Sequence, residues 1–357
     1  MVENLLSARQ RAKKLRFSGD MPSDTTIEDF GGLAETREQL YQGAIEVSAL
    51  LTPELHKRFC KVCERLDVPN DLVTSFIYSS KDIQGECYAS GDGCVLRFSS
   101  GLVDLLDEAE FEFVIGHELG HFLLDHHSVN VQANHAGLEY FRKRRSQEIS
   151  CDRIGLIACS SLDTALRALM KTVSGLTERH LRFDVLAFIS QLRKIESSKI
   201  DASLTTHPSM LIRAKALLWF SLSDFLSRRE DSKYFDQLKK IDGRVERDLN
   251  KFVDGAAQER ISNLKEDLLL WMVATEITRI GVFSATAQNQ VQSRFGQETS
   301  EKLRSFLGSL SKSTAESIVF EKLVSVRDEL EAVIPKEFLA QISILEGESR
   351  NILRDTK

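Results

Sequence analysis

The sequence predicts a mainly α protein with a small β-hairpin or sheet, an α+β arrangement, on three observations. Apolar residues recur at helical spacing over most of the chain. Between about residues 72 and 100 the pattern changes to short β-branched and aromatic runs separated by turn residues. Beyond Gly101 the helical period returns and holds to the end.

The elements follow in order. Residues 1–45 are polar and helix-forming, interrupted by SGDMPSD and by Gly31-Gly32, and read as a helical N-terminal arm. A helix is expected after Thr52-Pro53, with Thr52 as its cap and Pro53 in its first turn, ending near Asp67-Val68-Pro69. LVTSFIY reads as a strand, and GECYAS and CVLRFSS as two more joined by Gly91-Asp92-Gly93. After about Phe220 the chain is charged and helical, with apolar stripes at Leu268, Trp271, Met272 and Thr275 and again at Leu303, Phe306, Leu307 and Leu310. These spacings imply helices packing on one another. The expected organisation is an arm over 1–45, a main domain over 46–220 and a helical C-terminal domain over 221–357.

Composition narrows the function. The 357 residues carry a formal net charge of -6, with 42% hydrophobic and 28% charged residues, as expected of a globular protein with a sizeable core. Mild acidity gives no general attraction to nucleic acid or to an anionic membrane. No stretch approaches the roughly 20 apolar residues of a membrane helix, and the basic N-terminus is not followed by the apolar core of a secretory signal. A cytoplasmic protein without membrane insertion is the expectation. The basic run Arg142 to Arg145 reads as a solvated helix face. Of six cysteines, Cys60 and Cys63 form a CxxC, but they lie in a helical pattern with no second CxxC downstream, so buried or idle thiols are expected.

The chemistry lies in EAEFEFVIGHELGHFLLDHH. His117 and His121 are four apart and share one face of a helix, so both imidazoles can reach one zinc ion. Glu118 follows His117 and can reach a water on that ion and take its proton. Val114, Ile115, Leu119, Gly120, Phe122 and Leu123 surround the motif and none is charged, which predicts a buried helix. Buried imidazoles and a carboxylate are costly without partners, and a metal supplies them.

A third protein ligand has two candidates. His127 completes HExxHxxxxxH, the metzincin spacing, but that class needs glycine where Leu124 stands, and leucine is expected to keep the helix running and carry His127 away. Glu148, in SQEISCDRIGL, shares a helix face with Asp152 four residues on. Glu148 would complete the ligand set, and Asp152 would accept a hydrogen bond from a ligating histidine and fix its tautomer.

GLVDLLDEAEFEFVIGHELGH, then EISCD, then THPSMLIR resembles the zinc peptidase family of the CAAX prenyl protease and the bacterial heat-shock peptidase HtpX. The family pattern is a GLL-type helix start, HExxH, ExxxD, and HP followed by arginine; here these are Gly101 to Val103, His117 to His121, Glu148 to Asp152, and His207-Pro208 with Arg213. The resemblance covers roughly residues 50–220. It implies a zincin-like, gluzincin-type domain hydrolysing peptide bonds, with one Zn2+ per chain on His117, His121 and Glu148. It implies that Glu118 is general base and proton donor, that His207 stabilises the oxyanion, and that Asp152 and Arg213 support the site. It also implies that an extended peptide or protein substrate adds as a strand beside Tyr88, Ala89 and Ser90. Two departures bear on substrate: Glu86-Cys87-Tyr88-Ala89 stands where the family often has Asn-Ala-Phe-Ala, and the membrane helices of the best-known members are lacking. The stretch from His126 to Arg145 is long enough to be a lid or inhibitory loop, and the C-terminal domain leaves room for a regulatory protein partner. Rival readings are a regulatory peptidase of the ImmA/IrrE type, which shares HELGHxLL and a downstream glutamate, and a latent or degenerate peptidase acting as sensor or scaffold.

Overall fold

The computed structural model describes residues 2–20, 32–91, 93–126, 138–196, 209–223, 232–281, 283–334 and 338–353. The chain forms two compact units, one of residues 1–131 and 141–254 and the other of 132–140 and 255–357. It is mainly helical with one small sheet, as the alternation of periods predicts.

In the first unit the helices are α1 (Val2–Leu15), α2 (Leu33–Tyr41), α3 (Pro53–Leu66), α4 (Ser100–Leu105), α5 (Glu108–Leu123), α6 (Leu138–Cys159), α7 (Leu162–Ser174), α8 (Val185–Ser190), α9 (Leu192–Glu196), α10 (Met210–Ser221) and α11 (Ser232–Leu249). The strands are β1 (Ala44–Glu46), β2 (Val73–Tyr78), β3 (Gly85–Ser90) and β4 (Gly93–Ser99), in the order β1-β2-β4-β3. β3 and β4 are the expected hairpin, pairing Cys87 with Leu96 and Ser90 with Gly93. β2 runs parallel to β4, which leaves β3 at the edge of the sheet, against α5. The short β1 was hidden in the polar stretch before residue 46, because three residues carry too little alternation to register.

The HExxH helix, α5, lies at the centre. Asp107 caps it by accepting from the N–H groups of Ala109 and Glu110, and Glu110 Oε2 accepts from Asp107 N–H, a reciprocal capping box. From Glu110 to Leu123 every residue except His121 is buried. Two acids travel inward with it. Glu110 meets Lys171 Nζ of α7 at 2.6 Å, and Glu112 meets Lys61 at 2.5 Å and Arg58 at 3.0 Å, both from α3. A buried carboxylate is tolerated because these cations lie against it. Phe59, Phe98 and Phe111 meet edge to face or tilted, with centroids 5.2–6.0 Å apart, and join α3, β4 and α5. Each such buried aromatic stabilises by about 1.5–3 kcal/mol relative to exposure.

Three local expectations need correction. Thr52 stands at the start of α3, but its hydroxyl accepts from Ser48 N–H at 3.0 Å instead of capping the helix. The basic run is not uniformly solvated: Arg142 is exposed and Arg145 is fully buried. The N-terminal segment is no free arm, since Leu5, Ala8 and Ala12 of α1 sit in the central core and Phe17 packs with Ile149, Ile212 and Val245. The CxxC cysteines are free thiols, Cys63 buried and pushed up to about 12 by burial, and Cys60 half-buried.

The second unit contains α12 (Gly255–Ile280), α13 (Ala285–Phe295), α14 (Gln297–Gly308), α15 (Lys312–Val333) and α16 (Phe338–Ile352). α12 packs along α15 and α16, and α13 along α14. Its core has two apolar clusters, one around Val273, Ile277, Val291 and Val319 and one around Leu268, Leu330 and Phe338. Of the predicted stripe residues, Leu268 and Leu303 are buried in these clusters, and Trp271, Met272, Phe306 and Leu307 pack against them. No described helix is long and apolar enough to cross a membrane.

Candidate active site

Helices α5 and α6 approach each other closely because small residues face across the contact. A Cβ on Gly116 would lie 2.3 Å from the Ala158 side chain, one on Gly120 would lie 3.1 Å from Cys151 Cα, and one on Gly155 would lie 2.7 Å from the Phe113 carbonyl oxygen. Glu148, Cys151, Asp152 and Gly155 share one face of α6, and that face meets the face of α5 bearing His117 and His121.

The approach gathers three donors. His117 Nε2 lies 3.4 Å from Glu148 Oε2, and His121 Nε2 lies 3.5 Å from Glu148 Oε1. One ligand atom from each residue lies within 4.8 Å of the others. Tetrahedral nitrogen and oxygen ligands about 2.0–2.1 Å from zinc stand roughly 3.3–3.4 Å apart. The spacing and the N/N/O donor set therefore fit zinc, with a fourth position left for water or substrate.

The surroundings hold the three donor residues in place. His117 Nδ1 lies 3.0 Å from Asp152 Oδ1, so its proton points away from the donor cluster and Nε2 is free to ligate. Arg213 of α10 grips Asp152 with two bonds, Nε to Oδ2 at 2.7 Å and Nη2 to Oδ1 at 2.5 Å, and its Nη1 lies 3.3 Å from Glu148 Oε2. Without metal the cluster behaves as an ion pair. Burial opposes charge on His117, but hydrogen bonds to Asp152 and Glu148 outweigh it and raise the imidazole to about 10. Burial also opposes charge on Glu148, but His117 and Arg213 hold it well below the usual carboxylate range. Burial holds His121 well below its ordinary value, leaving a neutral ring. Burial pushes the Glu118 carboxyl up to about 7, partly offset by the His117 charge.

Residues 49–142 match the model of peptidase family M48. The matched segment is similar to that family over about a quarter of the chain. Metalloprotease YcaL of Escherichia coli (strain K12) is 35% identical over 82 residues, covering 22% of this chain and 31% of that protein. Plastoglobule-localized metallopeptidase 48, chloroplastic, of Arabidopsis thaliana is 28% identical over 156 residues, 36% of this chain and 45% of that protein. Metalloprotease LoiP of Escherichia coli (strain K12) is 36% identical over 75 residues, 20% of this chain and 29% of that protein. The chain thus spans less than half of each of these relatives. No solved structure gives a significant match.

The M48 segment holds His117, Glu118 and His121 and stops before Glu148, Asp152 and Arg213, so the case for those three rests on geometry. Tyr88, Ala89 and Ser90 lie on the edge strand β3. The Tyr88 side chain is engaged: its hydroxyl donates to Glu86 at 2.8 Å, and Glu86 bonds Arg97. β3 is the last strand of the sheet among the described residues. Gly85 brings that strand close to Glu118, since a Cβ there would lie 3.2 Å from Glu118 Oε1. His127 and His207 lie outside the described residues, as does most of the expected lid before α6.

The expected helix continuation through Leu124 is not what forms. α5 ends at Leu123, Asp125 takes a left-handed conformation with φ 57°, and the chain turns away. That turn and the end of α1 bring His126 and Asp20 to the site, two residues the motif does not reach. His126 is visible in DHH, but nothing in the sequence links it to Asp20, 106 residues earlier.

Proposed function

We propose that this chain is a zinc-dependent endopeptidase acting on peptide bonds of protein substrates. The observation that carries the reading is the convergence of His117, His121 and Glu148 at tetrahedral spacing beside Glu118. The similarity of the surrounding segment to peptidase family M48 and to proteins named as metalloproteases supports it, and favours it over the ImmA/IrrE type.

Zinc held by the three ligands would supply an acidified water and polarise the scissile carbonyl. Glu118 takes the proton from that water and returns it to the leaving amine. Asp152 and Arg213 keep His117 in the ligating tautomer. The substrate lies extended along the open edge of β3, over Tyr88, Ala89 and Ser90, where backbone pairing fixes register beside Glu118. His207 is assigned the oxyanion on family resemblance alone. Regulation by a protein partner is assigned to the second unit.

The test is zinc per chain and cleavage of an unfolded protein substrate for wild type, Glu118→Gln and Glu148→Ala. Wild type should hold about one zinc. Glu118→Gln should keep the metal and lose at least about 100-fold in kcat. Glu148→Ala should lose most of the zinc. Equal zinc in wild type and Glu148→Ala would remove Glu148 from the ligand set, and a metal-free wild type after reconstitution would sink the proposal.

A further inference from the structure

The Nδ1 edge of His121 faces away from the donor cluster, toward two buried residues the proposed chemistry leaves unused. His126 Nδ1 lies 3.3 Å from His121 Nδ1, and His126 Nε2 lies 2.9 Å from Asp20 Oδ2. His126 is 5% exposed and Asp20 is 2% exposed. We infer that Asp20 and His126 form a hydrogen-bond chain that positions His121 as a metal ligand, so that a residue preceding the family-matched segment completes the metal site. The inference rests on the ligand set proposed above.

The backbone explains how His126 arrives there. After α5, the N–H of His126 donates to the His121 carbonyl at 2.9 Å and that of Asp125 to the Phe122 carbonyl at 3.4 Å, with Asp125 left-handed between them. This is the Schellman ending, in which the residue two beyond the cap folds back over the last turn. An apolar contact often fills that position; here it is imidazole on imidazole, with centroids 5.3 Å apart. Asp20 is anchored independently. Phe17 N–H donates to Ser150 Oγ at 3.1 Å, Ser18 N–H to Asp242 Oδ2 at 2.9 Å, and Arg16 Nη2 to the Leu124 carbonyl at 2.6 Å. The segment following α1 thus grips α6, α11 and the residue that caps α5.

Proton placement gives the chain its direction. A histidine that ligates through Nε2 carries its proton on Nδ1 and needs an acceptor there. His126 Nδ1 can be that acceptor only if the His126 proton sits on Nε2, where it is donated to Asp20. The opposite tautomer would set two N–H groups against each other at 3.3 Å. The sequence His121 Nδ1–H to His126 Nδ1, then His126 Nε2–H to Asp20 Oδ2, gives each contact one donor and one acceptor. The second carboxylate oxygen of Asp20, Oδ1, is buried without a hydrogen-bond partner. Arg16 Nε, 3.6 Å from Asp20 Oδ2, faces the carboxylate with positive charge and keeps it a charged acceptor for the His126 proton. His117 has the one-step version of the same device in Asp152. Cys151 Sγ, 3.4 Å from His126 Nδ1, adds a weak donor to the same nitrogen. One atom each from His121, His126 and Cys151 could instead hold a second metal. His121 would then have to surrender both ring protons, and the two arrangements differ in metal count.

The experiment is competition for zinc against a chelator with the full chain, in wild type, Asp20→Ala, Asp20→Asn, His126→Ala, Cys151→Ala and Glu148→Ala, beside melting of each metal-free protein. Asp20→Ala and His126→Ala should weaken zinc binding about 10–100-fold while one site remains. Asp20→Asn, which keeps an acceptor oxygen and the volume, should lose less and serves if the alanine variants do not fold. A chain carrying both Asp20→Ala and His126→Ala should lose no more than His126→Ala alone, because the hydrogen-bond chain acts as a unit. Unchanged zinc affinity with lowered metal-free melting would reduce the pair to a structural tie and overturn the inference. A second zinc in wild type that vanishes in His126→Ala and Cys151→Ala would replace it with a metal site. Zinc lost in Glu148→Ala but unchanged in the Asp20 and His126 variants would overturn this inference alone, whereas no zinc on wild type would overturn the ligand set as well.

Discussion

Asp125 shows how much one backbone angle decides. At φ 57° it ends α5 in the left-handed region, where most side chains lose about 1–2 kcal/mol and aspartate or glycine loses less. Its carboxylate also lies 3.5 Å from the half-buried Arg9 and 3.6 Å from the exposed Lys13, solvent-facing pairs of little energetic weight. Asp125→Gly should therefore leave stability within about 0.5 kcal/mol of wild type, while Asp125→Val should cost about 1–2 kcal/mol. Urea midpoints read the difference; equal losses in the two variants would mean that the ion pairs matter and the angle does not. Here the sequence was legible only in part. His117, Glu118 and His121 stand out because four-residue spacing puts side chains on one helix face whatever lies around them. Leu124 misled because leucine favours helix, and the stop is set by the residue after it together with the carbonyls of His121 and Phe122.

Between elements, the decisive quantity is the separation of α5 and α6. Glu148 reaches both histidines only because Gly116, Gly120 and Gly155 leave no side chain in the way. Gly116→Ala would place a methyl group 2.3 Å from that of Ala158, so the helices must part. Overpacking of this kind costs about 1–3 kcal/mol, and the displacement moves Glu148 from the imidazoles, so zinc affinity should fall with stability. Ala158→Gly in the same chain removes the opposing methyl and should restore zinc affinity in the double variant, which carries as many helix glycines as wild type. Failure of that rescue in the chelator assay would detach the ligand set from helix spacing. The sequence pointed to a second helix carrying Glu148 and Asp152 but not to this contact, because a glycine inside a helix reads as a weak helix former until its neighbour is known. The Glu110 and Glu112 pairings were hidden for the same reason: Lys171 and the α3 cations are far along the chain.

Across the whole molecule, every proposed site residue that is described lies in the first unit. The apolar clusters respect the same division. Those around Ile115 and Phe98 and around Phe17 and Ile149 belong to the first unit, and those around Val273 and Leu268 to the second. The break falls beyond Asp254, later than the expected 220, because Val245 and Leu249 of α11 are buried with Ile212 and Ala216 of α10. The charged surface of α11 conceals that stripe in the sequence. A chain ending at residue 254 should therefore fold and bind about one zinc with wild-type affinity, whereas one ending at residue 220 should lose the α10–α11 contact and, with it, the support of Arg213 on Asp152. Chelator competition on the two truncations and the full chain separates these outcomes. Full zinc affinity in the shorter chain would mean that α11 plays no part in holding Arg213. Loss of zinc in the longer one would mean that the second unit is required for the site, and regulation through that unit would then have to act on the metal ligands themselves.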